Sequence, residues 1–392
     1  MVRFPAYDEA KNAWKTIGMK IAILTYHRAC NCGAMLQAWA LKKVLTNLGH
    51  EVQLPDIKGF EERGRWYGLM RSWRNGIMAF VRDFVYQCFT LGLKEWIEYK
   101  YRKVQGLFPR YNPVSPQELS AYDLVVVGSD QVWNPAMGEY KLPLYLCEVI
   151  PDSVRAIGYA VSSGDAVPET RWDDRFARAM KRFDAVFVRE RQTGEFISRA
   201  SRVDCEEVLD PSLLLTPEAY AEIEEGRVPN EPYLFVYALA TNDVAVRVPD
   251  FMRAVGVRRA VFFDGSPDFV PHRKAREYRR FISPGEFVRL VRNATAVVAC
   301  SFHGVAFSVL MNKPFVALTP KTAIEKLGTR PGCFLRTLGC EERMFSTREP
   351  IDRMLKEIIK PIPEDVQGRL ASLRKHSLNL LGHAIRKDHL GV

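Results

Sequence analysis

The sequence predicts an α/β protein whose strands are parallel and whose chain falls into two domains. Short apolar runs of four to six residues alternate with segments of helical period, the pattern of successive β-α-β units. Polar residues and glycines cluster directly after several of those runs, where the carboxyl edges of parallel strands would lie. At 392 residues the chain is longer than one ordinary core supports.

The first run, 20–25 (KIAILT), reads as a buried strand. The loop 26–33 (YHRACNCG) carries His27, Arg28 and Asn31, and Leu36, Ala40, Leu41, Val44, Leu45 and Leu48 then repeat with helical period. Gly49-His50 ends that helix and 51–54 returns as a strand. The loop lacks G-x-G-x-x-G, which disfavours a dinucleotide cofactor. Residues 123–127 form the next strand, followed by Gly128-Ser129-Asp130-Gln131-Val132-Trp133-Asn134-Pro135. An acid, an amide and a tryptophan in one loop suit a sugar site, since Asp and Asn can bond hydroxyls and an indole face stacks on a pyranose. A turn-capping Asp130 and a core Trp133 fit the same residues equally well.

Strands at 154–161 and 185–188 end in Ser162-Ser163-Gly164 and Arg189-Glu190, and 207–209 leads into Asp210-Pro211-Ser212 to close a first sheet. The charged segment 217–232 reads as a linker, and 233–239 and 259–263 open a second sheet. Ser283, Pro284 and Glu286 have the spacing of a helix start. A strand at 296–300, a turn Ser301-Phe302-His303-Gly304, a helix at 305–311 and a strand at 315–318 complete the strongest β-α-β unit. His303 thus stands at a strand's carboxyl edge and at a helix N-terminus, which favours an anionic ligand. A hydrogen-bonded structural histidine is the competing reading. The amphipathic tail 364–385 reads as a final helix.

Composition narrows the classes. Hydrophobic residues make up 47% and charged residues 26%, values of a soluble globular protein. Residues 1–17 show no leader pattern and no run of twenty apolar residues occurs, so a cytoplasmic location is expected. The eight cysteines are scattered, and Cys30-x-Cys32 lacks the second pair of a zinc site; reduced thiols and no metal are expected. Residues 61–110 hold ten Lys and Arg against five Asp and Glu, about half of the net +10, among many aromatics. Without a nucleic-acid signature, nucleic acid is discounted. Helices packed with snorkelling Arg and Lys, and contact with an anionic membrane through Arg63, Arg65, Arg71, Arg74, Trp66 and Trp73, are the two readings of that segment.

The segments NCGAMLQAWAL, VVVGSDQVWNP, YAVSSG, VRE, VLDPSLLL and SFHGVAFSVLMNKPF together resemble the polysaccharide pyruvyl transferase family, over about residues 20 to 345. The resemblance implies a GT-B-like fold, with two Rossmann-like domains whose parallel sheets face across a cleft. On that frame the domains are 18–216, with the basic aromatic insertion at about 60–112, then 230–345, then a helical tail at 346–392 crossing back toward the first. It also implies transfer of a pyruvyl group from phosphoenolpyruvate, as co-substrate and without a cofactor, to a sugar of a glycan or lipid-linked acceptor. Such an acceptor would place the protein at the inner face of the cytoplasmic membrane. In family members with established pyruvylation, the position of Ser301 is often arginine, so this chain departs from the pattern there.

Ketal formation from phosphoenolpyruvate needs a proton for the methylene carbon, a base for the attacking hydroxyl, and cations or N–H groups for the anion. His303 suits the acid and Asp130 the base. Arg189, Arg28, Ser301, Gly304 and Lys321 are the expected donor-anion contacts, and Asn31, Gln131, Trp133 and Asn134 the expected acceptor contacts. Lys313, ten helical residues from His303, stands roughly 15 Å away and is excluded. A nucleotide-sugar glycosyltransferase and a non-catalytic partner in glycan assembly are the alternative functions.

Overall fold

The computed structural model describes residues 18–29, 31–60, 77, 81, 112–165, 167–238, 244, 246–264, 277–279, 282–322 and 324–386. The segment carrying Arg63, Arg65, Trp66, Arg71, Trp73 and Arg74 lies outside the described residues. One sheet contains β1 (Lys20–Leu24), β2 (Glu51–Gln53), β3 (Leu124–Val127), β4 (Arg155–Val161), β5 (Ala185–Val188) and β6 (Glu206–Glu207), in the order β2-β1-β3-β4-β5-β6. The other contains β7 (Tyr233–Ala238), β8 (Arg259–Asp264), β9 (Glu277–Arg279), β10 (Ala296–Ala299), β11 (Phe315–Thr319) and β12 (Met344–Ser346), in the order β12-β11-β10-β7-β8-β9. All neighbouring strands pair in parallel.

Parallel strands need crossover connections. Those used below are α1 (Cys32–Asn47) between β1 and β2, α2 (Arg191–Ser201) between β5 and β6, and α3 (Pro284–Asn293) before β10. They are followed by α4 (Phe302–Leu310) between β10 and β11, α5 (Arg330–Leu338) before β12, and the last helix, α6 (Glu364–Arg386). Covered sheets need strands apolar on both faces, and β3 (Leu-Val-Val-Val) and β10 (Ala-Val-Val-Ala) are buried at every position. Strand order reverses between β1 and β3 in the first sheet and between β7 and β10 in the second. Such switch points leave a crevice at the carboxyl edge, because adjacent connections depart in opposite directions.

Two expectations change. The helix expected from residue 305 begins at Phe302, because the Ser301 hydroxyl accepts the Gly304 N–H at 3.0 Å and so caps it. The expected linker 217–232 is partly core. Its short 3-10 helix Pro217–Glu222 inserts the fully buried Tyr220 between Trp39 of α1 and Phe307 of α4, with ring centroids 5.3 and 5.1 Å apart. Phe287 of α3 continues that cluster, 5.4 Å from Phe307. An apolar junction therefore joins the two sheets' helices beneath the cleft.

Helix α6 touches both halves. Gln367 donates to the Val309 carbonyl of α4 at 2.8 Å, and Ser377 accepts the Leu209 N–H at 3.0 Å. At its far end Arg155 of β4 donates to the carbonyls of Ile385 and Ala384, closing orphan acceptors of the helix C-terminus.

Candidate functional site

The two switch points open onto one cleft of about 470 Å³, within the size range of small-ligand sites. Asn31 and Ala34 line it from the start of α1, and Asp130 and Gln131 from the loop after β3. Ser301 and His303 line it from the start of α4, and Thr329 and Arg330 from the start of α5. Three helix N-termini therefore face one space. Each is capped by its own side chain: Asn31 accepts from Ala34, Ser301 from Gly304 and Thr329 from Gly332. Their remaining N–H groups and positive dipole ends favour an anion.

His303 is 8% exposed, and its ring is flanked by two residues from the first half of the chain. Nε2 lies 3.7 Å from Oδ2 of the fully buried Asp210, an ion-pair distance that is too long for a hydrogen bond. On the other side the ring packs against Gly33 in the first turn of α1. A Cβ at Gly33 would fall 2.0 Å from Nδ1, so no larger residue fits that arrangement.

Asp210 is the hub of a buried polar cluster. One oxygen accepts the Ser212 N–H and hydroxyl at 2.9 and 2.7 Å, and the other accepts from Arg189 Nη1 and from the Ser129 hydroxyl, both at 3.1 Å. Burial would favour the neutral acid. The contact with and charge of His303, the Arg189 guanidinium and the Ser212 hydroxyl outweigh burial and hold this carboxyl well below the usual range. Arg189 also lies 3.4 Å from Glu190 and 3.6 Å from Asp130, and its guanidinium stacks 4.7 Å over the Phe302 ring. Burial would lower its pKa, but Glu190, Asp130 and Asp210 together raise it, so the guanidinium stays charged.

Asp130 reaches the cleft from a left-handed backbone, φ 74°, which is uncommon outside glycine. Its carboxylate accepts the Gln131 N–H at 2.9 Å. Gly128 before it, φ 114°, passes so close to the Tyr159 carbonyl that a Cβ would lie 2.2 Å away.

The structure brings together His303, Asp130, Asn31, Gln131 and Ser301 among the residues expected from sequence. Others lie elsewhere. Arg189 is 1% exposed on its side chain and ringed by three carboxylates behind the cleft wall, so it faces protein acids rather than a donor anion. Arg28 is held by Asp56 through Nε and Nη2 at 2.9 and 2.6 Å in a neighbouring pocket of about 50 Å³. Burial would raise the Asp56 carboxyl, but hydrogen bonds from His27 and Arg28 outweigh burial and lower it. Lys321 is exposed in the loop beyond β11, whose cleft-lining residues are Leu318 and Thr319.

Trp133 is fully buried, donates to the Tyr145 carbonyl at 2.9 Å and packs edge-on against Phe176 and Phe183, so no sugar stacks on it. Asn134 caps the short helix Pro135–Gly138 by accepting the Ala136 N–H. Gly304 serves packing rather than ligand approach, since a Cβ there would come within 2.9 Å of Tyr237 and 3.0 Å of Ala299.

Sequence reasoning missed Asp210, Gly33, Lys141 and Arg330. Asp210-Pro211-Ser212 read as a turn, and it is one, with Asp210 capping the 3-10 helix Pro211–Leu213. Thr329-Arg330-Pro331 carried a helix-start pattern that could have drawn notice to Arg330. Lys141 lines the cleft with its ammonium 4.9 Å from the Tyr26 ring centroid. Among the described residues, no group of three or more His, Cys, Asp or Glu could hold a metal ion.

The model of a family described as polysaccharide pyruvyl transferase matches residues 31–322. No curated protein matches the chain by sequence. Among solved structures, the UDP-GlcNAc 2-epimerase of Methanocaldococcus jannaschii superposes with a TM-score of 0.53 at 10% identity, over 93% of this chain and 100% of that one. S. aureus MnaA, from a co-structure with UDP, gives 0.51 at 9% identity, over 94% and 96% of the two chains. At such identities the likeness establishes the fold alone: α/β and GT-B-like, with two parallel sheets facing across a cleft.

Proposed function

The chain belongs to the polysaccharide pyruvyl transferase family, which makes it a polysaccharide-modifying transferase, and on that premise we propose that it moves a pyruvyl group from phosphoenolpyruvate to a sugar of a glycan precursor. The product is a pyruvate ketal and the leaving group is phosphate. The observation that carries this reading is one cleft that receives three helix N-termini and also His303, itself faced by the buried carboxylate of Asp210.

In this reading His303 gives a proton to the methylene carbon, which becomes the methyl group and leaves positive charge at the neighbouring carbon. One sugar hydroxyl adds there while Asp130 takes its proton, and a second hydroxyl replaces phosphate. The proton taken by Asp130 passes to the departing phosphate, and that of the second hydroxyl restores His303, so both residues end as they began. Nε2 is turned to Asp210, so Nδ1 is the nitrogen that exchanges the proton; Gly33 borders it and has no side chain to cover it. Asp210, 3.7 Å from Nε2, balances the charge of the ring when it is protonated. Asn31 and Gln131 are the acceptor contacts in this scheme.

The test is incubation with phosphoenolpyruvate and free or lipid-linked galactosides, following phosphate release and a mass gain on the glycan. His303→Ala should cut turnover by about two to four orders of magnitude while leaving folding largely intact. Near-normal turnover in that variant would remove His303 from the mechanism. Nucleotide release from a nucleotide sugar would identify a glycosyltransferase instead, and silence with every donor a non-catalytic partner.

A further inference from the structure

We propose that Arg330, at the start of α5, is the guanidinium that binds the anionic groups of the donor. The assignment rests on the reading of the cleft as a site for a phosphorylated carboxylate. It follows from how charge is distributed around that space. Behind one wall Asp130, Glu190 and Asp210 share the single guanidinium of Arg189. That region carries excess negative charge and would repel a phosphate. The anion must therefore lie toward the wall that offers cations.

Among the described residues, Arg330 and Lys141 are the Lys and Arg side chains that line the cleft. Lys141 is 7% exposed, with its ammonium over the Tyr26 and Tyr140 rings. Arg330 is more open, at 21% of its side chain. Its backbone N–H and Nε both donate to one oxygen of Asp165, at 2.9 and 3.0 Å. The Gln131 amide oxygen is assigned to face Nη1 and Nη2 at 2.9 and 3.3 Å, because the opposite orientation would set an N–H group against a guanidinium. Three of the five guanidinium N–H donors are thereby taken up, and one on each terminal nitrogen remains.

Asp165 and Gln131 come from the first half of the chain, while Arg330 comes from the second. The guanidinium is thus held in place across the cleft before any ligand arrives, which lowers the ordering cost of binding. It also sits in the first turn of a nine-residue helix capped by Thr329, with the first turn of α4 opening on the same space. Fixed donors, a cation and two dipole ends then address one ligand, an arrangement suited to phosphate and carboxylate oxygens.

The experiment is calorimetric titration of phosphoenolpyruvate into the wild-type chain and into Arg330→Ala, Arg330→Gln and Arg330→Lys, with thermal unfolding of each. Losing charged hydrogen bonds of this kind should raise the Kd by about 10- to 100-fold in Arg330→Ala and Arg330→Gln. Arg330→Lys should recover part of that affinity. Wild-type affinity in a folded Arg330→Ala or Arg330→Gln would overturn the assignment and leave the proposed reaction standing. If the wild-type chain does not bind phosphoenolpyruvate, that reaction fails, and inorganic phosphate and UDP are titrated in its place. Binding of either that depends on Arg330 keeps the anion site under another donor; binding independent of Arg330, or none, overturns it.

Discussion

Gly33→Ala gives the most direct test of whether His303 must stand where it does. The added Cβ would fall 2.0 Å from Nδ1, 2.3 Å from Cγ and 2.7 Å from Cβ of His303. Moving the imidazole from 2.0 Å out to an ordinary contact near 3.4 Å displaces it by about 1.4 Å. A misplacement of that order costs roughly 100-fold in turnover when geometry is what the enzyme supplies. Stability should change much less. Alanine gains about 1 kcal/mol over glycine within a helix, while overpacking costs typically about 1–3 kcal/mol, so the net effect is within about 2 kcal/mol. The assay is steady-state phosphate release with thermal unfolding of the same preparation. We expect kcat to fall while donor KM moves little, because the anion contacts lie elsewhere in the cleft. A folded Gly33→Ala enzyme within threefold of wild-type kcat would refute the requirement.

Three further outcomes follow from other parts of the molecule. Asp210→Asn should destabilise the fold by about 1.5–3 kcal/mol, because a neutral amide replaces the charged acceptor of Arg189, Ser129 and Ser212. The pH dependence has a definite sign: the folded carboxyl titrates below its unfolded value of about 3.9, so its contribution is present above that value and is lost as pH falls through the lower, folded one. Urea unfolding of wild type and variant should therefore differ by a constant amount from neutral pH down to about pH 4 and converge below it, and a difference that shrank above pH 5 would contradict this. Trp133→Phe should cost about 1–3 kcal/mol through the lost hydrogen bond to Tyr145 and lost volume, with acceptor KM unchanged; a tenfold rise in acceptor KM at full stability would restore the sugar-stacking role. For the segment around Arg63, Arg65, Trp66, Arg71, Trp73 and Arg74, we expect flotation with anionic but not neutral liposomes, weakened by salt, at about 1 kcal/mol per basic residue near the surface. Equal unbound fractions with both lipids would leave no membrane role for it.

Much of the architecture was legible in local sequence because local physics decides it. A buried parallel strand must be apolar on both faces, so the strands expected at 123–127 and 296–300 form within one residue of those bounds, and the Ser283 cap of α3 was equally legible. The polar loops after β1, β3 and β10 were recognisable as candidate site loops for the same reason: they follow strand ends. The β10-α4 boundary was misplaced because apolar periodicity starts at Val305, whereas the cap that starts the helix is Ser301. Tyr220 sat in a charged segment, and its insertion between Trp39 and Phe307 depends on both halves of the chain.

Which polar residues face one another was decided by the tertiary structure. Asp210 and His303 are separated by 93 positions, and Arg330 and Asp165 by 165. No spacing rule reaches across such distances, because each pair meets only when the carboxyl edges of two separately formed sheets come together. The same holds for Arg189: strand-end position made it look like a ligand contact, and only folding surrounded it with Asp130, Glu190 and Asp210. Sequence patterning determines which residues enter strands, caps and loops, since those preferences act within a few residues. The partner of a charge is set by long-range packing, and in this cleft that packing separates the acids gathered around Arg189 from the cationic wall.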